Sequence, residues 1–395
     1  MPVLLQIGAS CNWGAPGKIA EQIGLTALRH GWNCYMAHGV RYYNPTQLDS
    51  IPVVNSFQEK MHGIKSLLCD AHGLGSFFET KSFLNKIDKI KPDIIHLHNL
   101  HGYYINYKVL FEYLQHRDIP VVWTLHDCWP VTGHCCYFDS INCQKWMTEC
   151  DNCPLLKSYP KSLFFDRSKV NFYLKKSLFT SIKRMIVVPV SQWLGNIISQ
   201  SFLRDYPMHV IRNGIDIDVF CPSESFKKES KKKILGVASP WSKRKGLDDF
   251  IALSKNEDYE ITLVGINEEQ MKLLPSNIIA VKRTNNQQEL AKLYSEADVF
   301  VNPTYSDNFP TTNIEALACG TPVVTYETGG SPEAIDDVTG LVVEKGNLKA
   351  LICAIDKICE NGKKQYKKNC RDRAIKLFDR NKVYEKYIAM YESFL

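Results

Sequence analysis

The feature that most constrains this chain is an alternation of short apolar runs with helical patterns, which occurs twice. MPVLLQIGAS is typical of a strand, GKIAEQIGLTALRHG of a helix and NCYMAHG of the next strand. After a polar, turn-rich break, the pattern resumes with KKKILGVASP, KGLDDFIALSK and YEITLVGI. Strands separated by helices indicate a parallel, doubly wound sheet. We therefore predict an α/β chain of two doubly wound domains facing a cleft, with ligands bound beyond the carboxyl ends of the strands.

The restart of this pattern predicts the domain boundaries. The first domain is expected over residues 1–215, with a cysteine-rich insertion at 128–156. A polar linker at 216–230 leads to a second domain at 231–375. The final residues, 376–395, form an amphipathic pattern and are predicted to be a helix that packs back on the first domain.

Composition excludes several classes of protein. A hydrophobic content of 45% with 23% charged residues is that of a globular chain rather than a disordered one. No apolar run approaches the roughly 18 residues of a membrane span, and the first residues lack the pattern of a signal peptide. We therefore expect a cytoplasmic location, with contact at the inner face of the plasma membrane as one option.

Basic residues are concentrated in one segment of the first domain. Residues 157–184 hold eight lysines and arginines, one aspartate and several aromatic residues. This combination favours an anionic membrane face or a phosphate-bearing lipid. A solvated helix face is the alternative. Nucleic acid is disfavoured, because no nucleic-acid-binding module accompanies the charge.

The stretch SDNFPTTNIEALACGTPVV, residues 306–324, is the segment whose residues are best suited to bind a ligand. Pro310 and two threonines are expected to start a helix that Gly320 ends. First-turn amides lack partners within a helix and attract phosphate. The spacing of Thr312 and Glu315 predicts a capping box. Asp307 and its neighbour Asn308 directly follow an apolar strand, where a ligand is expected.

The same stretch resembles the signature of retaining nucleotide-sugar glycosyltransferases of the GT-B fold, family 4 (group 1 type). Their motif is an acid, seven residues, Glu and then Ala-Xaa-Ala-Xaa-Gly-Xaa-Pro-Val-Val, and here it reads D-NFPTTNI-E-ALACGTPVV. The likeness covers nearly the whole chain. It implies that Glu315 binds the ribose and that Asp307, where the family usually has Glu, holds the transferred sugar. Residues at the helix start would meet the sugar and diphosphate: Asn308, Phe309, Thr311 and Thr312.

Other donor contacts are implied by shorter motifs. Lys245-Gly246 matches the family's Lys-Gly, in which the lysine contacts the diphosphate. Many relatives have an arginine at the position of Ser239, and Arg244 is expected to compensate for it. Arg283 and Thr284 correspond to a segment that borders the base. The loop containing Gly14 and Gly17 follows the first strand, and in the family it touches donor and acceptor.

Histidines follow the inner strands of the first domain. His126 stands at a strand end and, by the resemblance, lies next to the transferred sugar, so His126, Asp307 and Glu315 are the predicted catalytic residues. The alternative is a buried His126 that is satisfied by Asp127. His96, His98 and His101 are interpreted as packing and acceptor-side residues, because GT-B enzymes generally act without a catalytic metal. No cofactor is therefore expected for catalysis.

Five cysteines fall within residues 135–153. Cys135, Cys143, Cys150 and Cys153 include one C-x-x-C pair, and four thiols suit a tetrahedral structural zinc ion. Reduced, buried thiols without a metal are the alternative. A similar insertion, HDCWP-x-TGHC…C…W…C-x-x-CP, characterises a subgroup of the family from bacterial surface-polysaccharide synthesis of the colanic-acid type, which this segment resembles.

The combined prediction is a retaining hexosyltransferase. It would move a sugar from a UDP- or GDP-sugar to a glycan growing on a lipid diphosphate, in surface polysaccharide biosynthesis. Two alternatives remain open at this point. One is a nucleotide-sugar epimerase of the same fold. The other is a non-catalytic nucleotide-sugar-binding protein, with Asp307 and Ser239 as departures from the family pattern.

Overall fold

A computed structural model describes residues 1–223 and 231–395 of the chain. It divides into two compact units, of which unit 1 comprises Met1–Arg212 with Tyr384–Leu395 and unit 2 comprises Asn213–Val383. The predicted linker at 216–230 therefore lies partly outside the described residues.

Unit 1 contains a parallel six-stranded sheet with the order β3-β2-β1-β4-β5-β6. Its strands are β1 (Val3–Gly8), β2 (Asn33–His38), β3 (Asp49–Pro52), β4 (Ile94–Leu97), β5 (Val121–Leu125) and β6 (Met185–Pro189). Its helices are α1 (Gly14–Arg29), α2 (Ser56–Cys69), α3 (Phe77–Ile90), α4 (Tyr107–Leu114), α5 (Ser168–Phe179) and α6 (Gln192–Ile198). The inner strands β4 and β5 are buried along their whole length, as expected for a sheet covered on both faces.

Unit 2 repeats this architecture with the order β12-β11-β10-β7-β8-β9. Its strands are β7 (Lys232–Val237), β8 (Tyr259–Val264), β9 (Ile278–Val281), β10 (Val299–Asn302), β11 (Val323–Tyr326) and β12 (Gly340–Val343). Its helices are α7 (Leu247–Leu253), α8 (Glu268–Met271), α9 (Gln287–Glu296), α10 (Thr311–Ala318), α11 (Leu348–Asn361) and α12 (Lys363–Leu377). The predicted α/β class with two doubly wound parallel sheets is confirmed.

The last helix, α13 (Arg380–Glu392), begins among the final residues of unit 2 and ends in unit 1. Two fully buried tyrosines attach its second half to the unit 1 sheet. The Tyr391 hydroxyl lies 2.6 Å from His96 Nδ1 in β4, and Thr124 of β5 donates to the Tyr387 hydroxyl at 3.0 Å. The C-terminal residues are thus part of the unit 1 core.

Among the described residues, no helix has both the length and the apolar composition that crossing a membrane requires.

Candidate active site

The strand order of unit 2 creates a switch point between β7 and β10. From β7 the sheet extends through β8 and β9 to one side, and the chain then returns to place β10 on the other side of β7. The loops that leave neighbouring strands at such a point diverge, and ligands of open α/β sheets bind in the resulting crevice. Lys245 follows β7, and Asp307 follows β10.

These two residues form an ion pair across the switch point. Lys245 Nζ contacts Asp307 Oδ2, and the side chains are 20% and 15% exposed. The other carboxylate oxygen of Asp307 accepts the Asn308 backbone N–H at 3.0 Å. The predicted phosphate-binding cation and the predicted sugar-binding carboxylate therefore lie together, within reach of solvent.

Backbone contacts fix the two loops against each other. The Arg244 guanidinium donates to the Ser306 carbonyl at 2.6 Å, and the Arg244 carbonyl accepts the Tyr305 N–H at 2.8 Å. Arg244 was predicted to contact the diphosphate, and this contact shows that it also positions the loop that contains Asp307.

The loop after β11 approaches the same aspartate very closely. Gly329 has a φ of +55°, and a Cβ atom at this position would lie 1.7 Å from the Asp307 carbonyl oxygen. A side chain is therefore excluded at residue 329 both by the left-handed backbone and by the space that Asp307 occupies.

Helix α10 starts beside this loop without a side-chain cap. Pro310 is the N-cap residue, and it makes no side-chain capping hydrogen bond. The Phe309 ring is buried 5.8 Å from that of Phe378, and Asn213 donates to the Phe309 carbonyl at 3.1 Å. These contacts hold Phe309, which precedes the start of the helix, in place. The first helical residues, Thr311 and Thr312, remain partly exposed. An uncapped helix start attracts anions.

The predicted capping box of Thr312 and Glu315 is wrong. Because Pro310 takes the N-cap position, Thr312 lies inside the helix, where its side chain cannot cap it. The Glu315 carboxylate instead accepts a hydrogen bond from Tyr294 of α9 at 3.1 Å. Tyr294 is fully buried, so its hydroxyl holds one carboxylate oxygen of Glu315 in a fixed position.

Two predicted nucleotide contacts lie apart from this cluster along the sheet. Arg283 and Thr284 follow β9, the edge strand, which β8 separates from β7. The structure thus brings together Lys245, Asp307 and the start of α10 at the switch point, whereas Arg283 and Thr284 stand two strands away.

Unit 1 has its own switch point, between β1 and β4. Gly14 begins α1 there with a φ of +62°. His98, directly after β4, contacts Gln6 Oε1 through Nε2 at 3.0 Å and His126 Nε2 through Nδ1 at 3.2 Å. Gly14 and His126 therefore follow the inner strands β1 and β5 of unit 1, and the other residues that were predicted to be catalytic or donor-binding belong to unit 2.

The partner of His126 differs from the alternative raised by the sequence. Asp127 bonds to His101 Nε2 at 2.7 Å, whereas His126 Nε2 lies 3.2 Å from His98 Nδ1. Burial lowers the pKa of His126 to about 4 and that of His96 to about 3. These imidazoles are neutral at pH 7, so His126 is suited to bond a hydroxyl rather than to act as a cation.

The four predicted zinc ligands line one cavity. Cys135, Cys143, Cys150 and Cys153 surround it together with His134. The neighbouring Cys135 thiol lowers the pKa of Cys153 below that of an ordinary thiol. The Leu155 N–H also points at the Cys153 sulfur. A pair of close thiols with one of lowered pKa is compatible with a metal site.

One of the eight bases of residues 157–184 does not belong to the surface. Lys175 is 1% exposed, lies 3.5 Å from the centre of the Trp129 ring and donates to the carbonyls of Trp129 and Thr132 at 2.7 and 3.0 Å. Burial lowers its pKa to about 7. Its inclusion in a charged surface was wrong, because the indole and two carbonyls provide a buried site for the amine.

Sequence reasoning missed two residues that position the predicted site, namely Gly329 beside Asp307 and Tyr294 beside Glu315. Gly329 lies in a Gly-Gly pair after an apolar strand, which signals a turn but does not identify its neighbour. Tyr294 occupies an ordinary helical core position, and nothing in its local sequence indicates the contact with Glu315.

Comparisons with known proteins give a consistent result. The family model described as "Glycosyl transferases group 1" matches residues 222–377, and "Glycosyltransferase Family 4" matches 58–219. WcaC of Escherichia coli K12, a glycosyl transferase named for colanic acid biosynthesis, is 25% identical over 88% of this chain and 89% of its own length.

Two solved structures show the same fold. Sucrose-phosphate synthase from Thermosynechococcus elongatus aligns with a TM-score of 0.75 at 18% identity, covering 100% of this chain and 99% of its own. Anabaena Alr3699/HepE, solved in complex with UDP, aligns with a TM-score of 0.67 at 16% identity over 100% of both chains.

Proposed function

Because this chain belongs to the group 1 glycosyltransferases of family 4, we propose that it is a retaining enzyme of bacterial surface polysaccharide biosynthesis. It transfers a sugar from a UDP- or GDP-sugar to a glycan that grows on a lipid diphosphate. The likeness to WcaC supports the pathway class, and the UDP complex of HepE supports a nucleotide-sugar donor.

The observation that carries this proposal is the pairing of Lys245 with Asp307 beside the uncapped start of α10. The pair sits at the switch point of unit 2. A donor has an anionic diphosphate and a neutral sugar, and here a cation and a helix start without a side-chain cap adjoin a carboxylate. The diphosphate would replace Asp307 as the ion-pair partner of Lys245. The Asp307 carboxylate would then accept hydrogen bonds from the hydroxyls of the transferred sugar.

The remaining donor contacts follow from this arrangement. Glu315, one turn into α10, would accept bonds from the ribose hydroxyls, and Tyr294 would keep its carboxylate oriented. Negative charge builds on the leaving phosphate as the glycosidic bond breaks, and fixed positive groups stabilise that charge. Lys245 and the first amides of α10 would supply this stabilisation without a metal.

Retention of configuration needs no enzymatic base in this scheme. A phosphate oxygen of the departing diphosphate would accept the proton of the acceptor hydroxyl on the same face of the sugar. His126 would bond a hydroxyl of the transferred sugar in its neutral form, since burial lowers its pKa to about 4.

A donor screen tests the proposal. Calorimetry with a panel of UDP- and GDP-sugars identifies the donor, and mass spectrometry with NMR of the anomeric proton identifies the product formed on a lipid diphosphate acceptor. We expect transfer with the donor's anomeric configuration. An isomerised donor without acceptor indicates an epimerase, and binding without any turnover indicates a binding protein.

A matched pair of lysines tests the phosphate site. Lys243 belongs to the same basic run but is 90% exposed and reaches only Asp248, at 3.9 Å. We expect Lys245→Ala to reduce transfer by about 100-fold or more, as for loss of a single oxyanion donor, and Lys243→Ala to retain it. Equal activity of the two variants would refute the assignment.

We also propose that unit 1 binds the membrane that contains the acceptor. Phe57, Met61, Ile64 and Leu68 recur on one face of α2 and are 38–70% exposed. The segment Leu163–Phe165, 48–72% exposed, is bound to this helix through the Leu163 N–H and the Leu67 carbonyl at 2.8 Å. We call these residues the apolar patch. Exposed lysines flank it, namely Lys60, Lys65 and Lys161.

This combination favours an anionic bilayer, because apolar side chains insert at the interface while lysines attract acidic headgroups. The enzyme would then act at the cytoplasmic face of the plasma membrane. A groove of about 690 Å³ beside α2, lined by Arg41 and Lys60 among others, offers cations for the diphosphate of the acceptor.

Vesicle sedimentation tests the patch. We expect binding to phosphatidylglycerol-containing vesicles and little to pure phosphatidylcholine, with Phe164→Asp reducing binding several-fold. Leu273→Asp is the control, since Leu273 is 80% exposed but lies in unit 2. Unchanged binding of Phe164→Asp would argue against this surface.

The cysteine cavity is proposed to hold a structural zinc ion through Cys135, Cys143, Cys150 and Cys153. Bound there, zinc would order the insertion that follows His126. Elemental analysis of native protein without zinc, together with folding that a chelator does not affect, would count against it.

A further inference from the structure

We propose that His101, Asp127 and Cys136 bind a zinc ion in unit 1, at a site separate from the cysteine cavity. Their ligand atoms all lie within 4.8 Å of one another. The side chains are deeply buried, with exposures of 7%, 5% and 1%. Imidazole, carboxylate and thiolate are the three ligand types of zinc sites. The thiolate and imidazole favour zinc over magnesium or calcium, which prefer oxygen.

In two of these ligands, the polar atom that would not bind the metal already has a hydrogen-bond partner. Asp127 Oδ1 accepts the Trp129 N–H at 2.9 Å, and His101 Nδ1 faces the Tyr159 hydroxyl at 3.2 Å. The atoms that would bind the metal, His101 Nε2 and Asp127 Oδ2, lie 2.7 Å apart. Metal-binding histidines typically hold their second ring nitrogen in this way, which fixes the tautomer and the orientation of the ring.

His72 provides an independent observation. Its side chain is 5% exposed, yet neither ring nitrogen has a hydrogen-bond partner. Its ring centre is 5.6 Å from that of His101. Buried polar groups in native proteins are nearly always bonded. Packing against Tyr103 and Tyr159 accounts for a ring at this position but not for an imidazole, whereas a metal ion would give His72 a role as fourth ligand.

The three ligands and His72 come from four separate segments of unit 1. His72 follows α2, His101 follows β4, Asp127 follows β5, and Cys136 belongs to the cysteine-rich insertion. Cys135 lines the other cavity, so adjacent cysteines would serve two different ions. The site goes beyond the proposed transfer reaction, and it changes the interpretation of His101 from a packing residue to a ligand.

Metal content of protein purified without a histidine tag tests this site, by elemental analysis and native mass spectrometry. The double variant Cys150→Ser/Cys153→Ser disables the cysteine cavity. We expect it to retain one zinc per chain, and we expect Cys136→Ser added to this background to remove that zinc. Cys353→Ser, an exposed cysteine of unit 2, is the control and should leave the metal content unchanged.

A metal-free double variant would overturn the proposal, and so would a triple variant that still holds one zinc. If the triple variant does not fold, the double variant decides alone, and His72→Phe gives a second measurement. We expect His72→Phe in the double-variant background to lose zinc to a chelator at least 10-fold faster. Identical loss rates would remove His72 from the ligand set.

Discussion

Gly329→Ala is the substitution that most directly tests whether the position of Asp307 controls function. The new Cβ would lie 1.7 Å from the Asp307 carbonyl oxygen, whereas real Cβ contacts stay beyond 3.0 Å, so one of the two must move by at least 1.3 Å. The backbone must also hold alanine at a φ of +55°. Left-handed backbone costs about 1–2 kcal/mol, and overpacking costs typically about 1–3 kcal/mol.

Gly31→Ala separates these two contributions. Gly31 has a φ of +79°, but a Cβ there would meet nothing within 4 Å, so only the backbone contribution applies. We expect urea unfolding to show about 2–5 kcal/mol of destabilisation for Gly329→Ala and about 1–2 kcal/mol for Gly31→Ala.

The functional consequence follows from the displacement of Asp307. A shift of about 1 Å in a positioning group can reduce the rate about 100-fold. We expect this reduction in sugar transfer for Gly329→Ala at a temperature where the variant is folded, and full activity for Gly31→Ala. If Gly329→Ala is as stable and as active as Gly31→Ala, the close approach has no consequence and the reasoning fails.

Three further predictions concern buried side chains. Tyr294→Phe removes the donor to Glu315, and a lost hydrogen bond of about 1 kcal/mol should weaken UDP or GDP binding roughly 5-fold in calorimetry; Tyr259→Phe is the control, and equal affinities would exclude the role. Lys175→Met should flatten the pH dependence of stability. Burial lowers the pKa of this lysine in the folded protein to about 7 from 10.5. Between pH 7.5 and 8.5 the unfolded chain therefore binds more protons, and the free energy of unfolding of the wild type rises by about 1.4 kcal/mol per pH unit. The same change in unfolding free energy between these pH values in the wild type and in Lys175→Met would contradict this. Tyr391→Phe should destabilise the protein by about 1–3 kcal/mol, because it leaves Nδ1 of the buried His96 without the hydroxyl that it contacts, and an unchanged unfolding midpoint would show that the contact is unimportant.

The fold could be predicted from sequence because its signals are local. The alternation of apolar runs and amphipathic helices can be recognised from consecutive residues, and it predicts a parallel sheet. The positions of Lys245 and Asp307 after strands could be predicted in the same way. Their direct contact could not, because it depends on which strands become neighbours at the switch point.

Contacts between distant segments account for the errors. The Thr312–Glu315 spacing predicts a cap only if Thr312 ends the preceding loop, and Pro310 takes that position instead. Lys175 belongs to a basic run in sequence, but the Trp129 ring and two carbonyls draw it inside. In each case a tertiary partner prevailed over a local pattern that was correctly identified.

The attachment of α13 to unit 1 has a consequence for how the chain is made. Tyr387 and Tyr391 complete the core next to β4 and β5, yet they are synthesised after the whole of unit 2. Domains generally fold as units during synthesis, starting from the amino terminus. Here residues 1–212 lack part of their core until α13 has been synthesised, and by then unit 2 has been synthesised in full. Loss of residues 384–395 would therefore damage the part of the protein that was synthesised first.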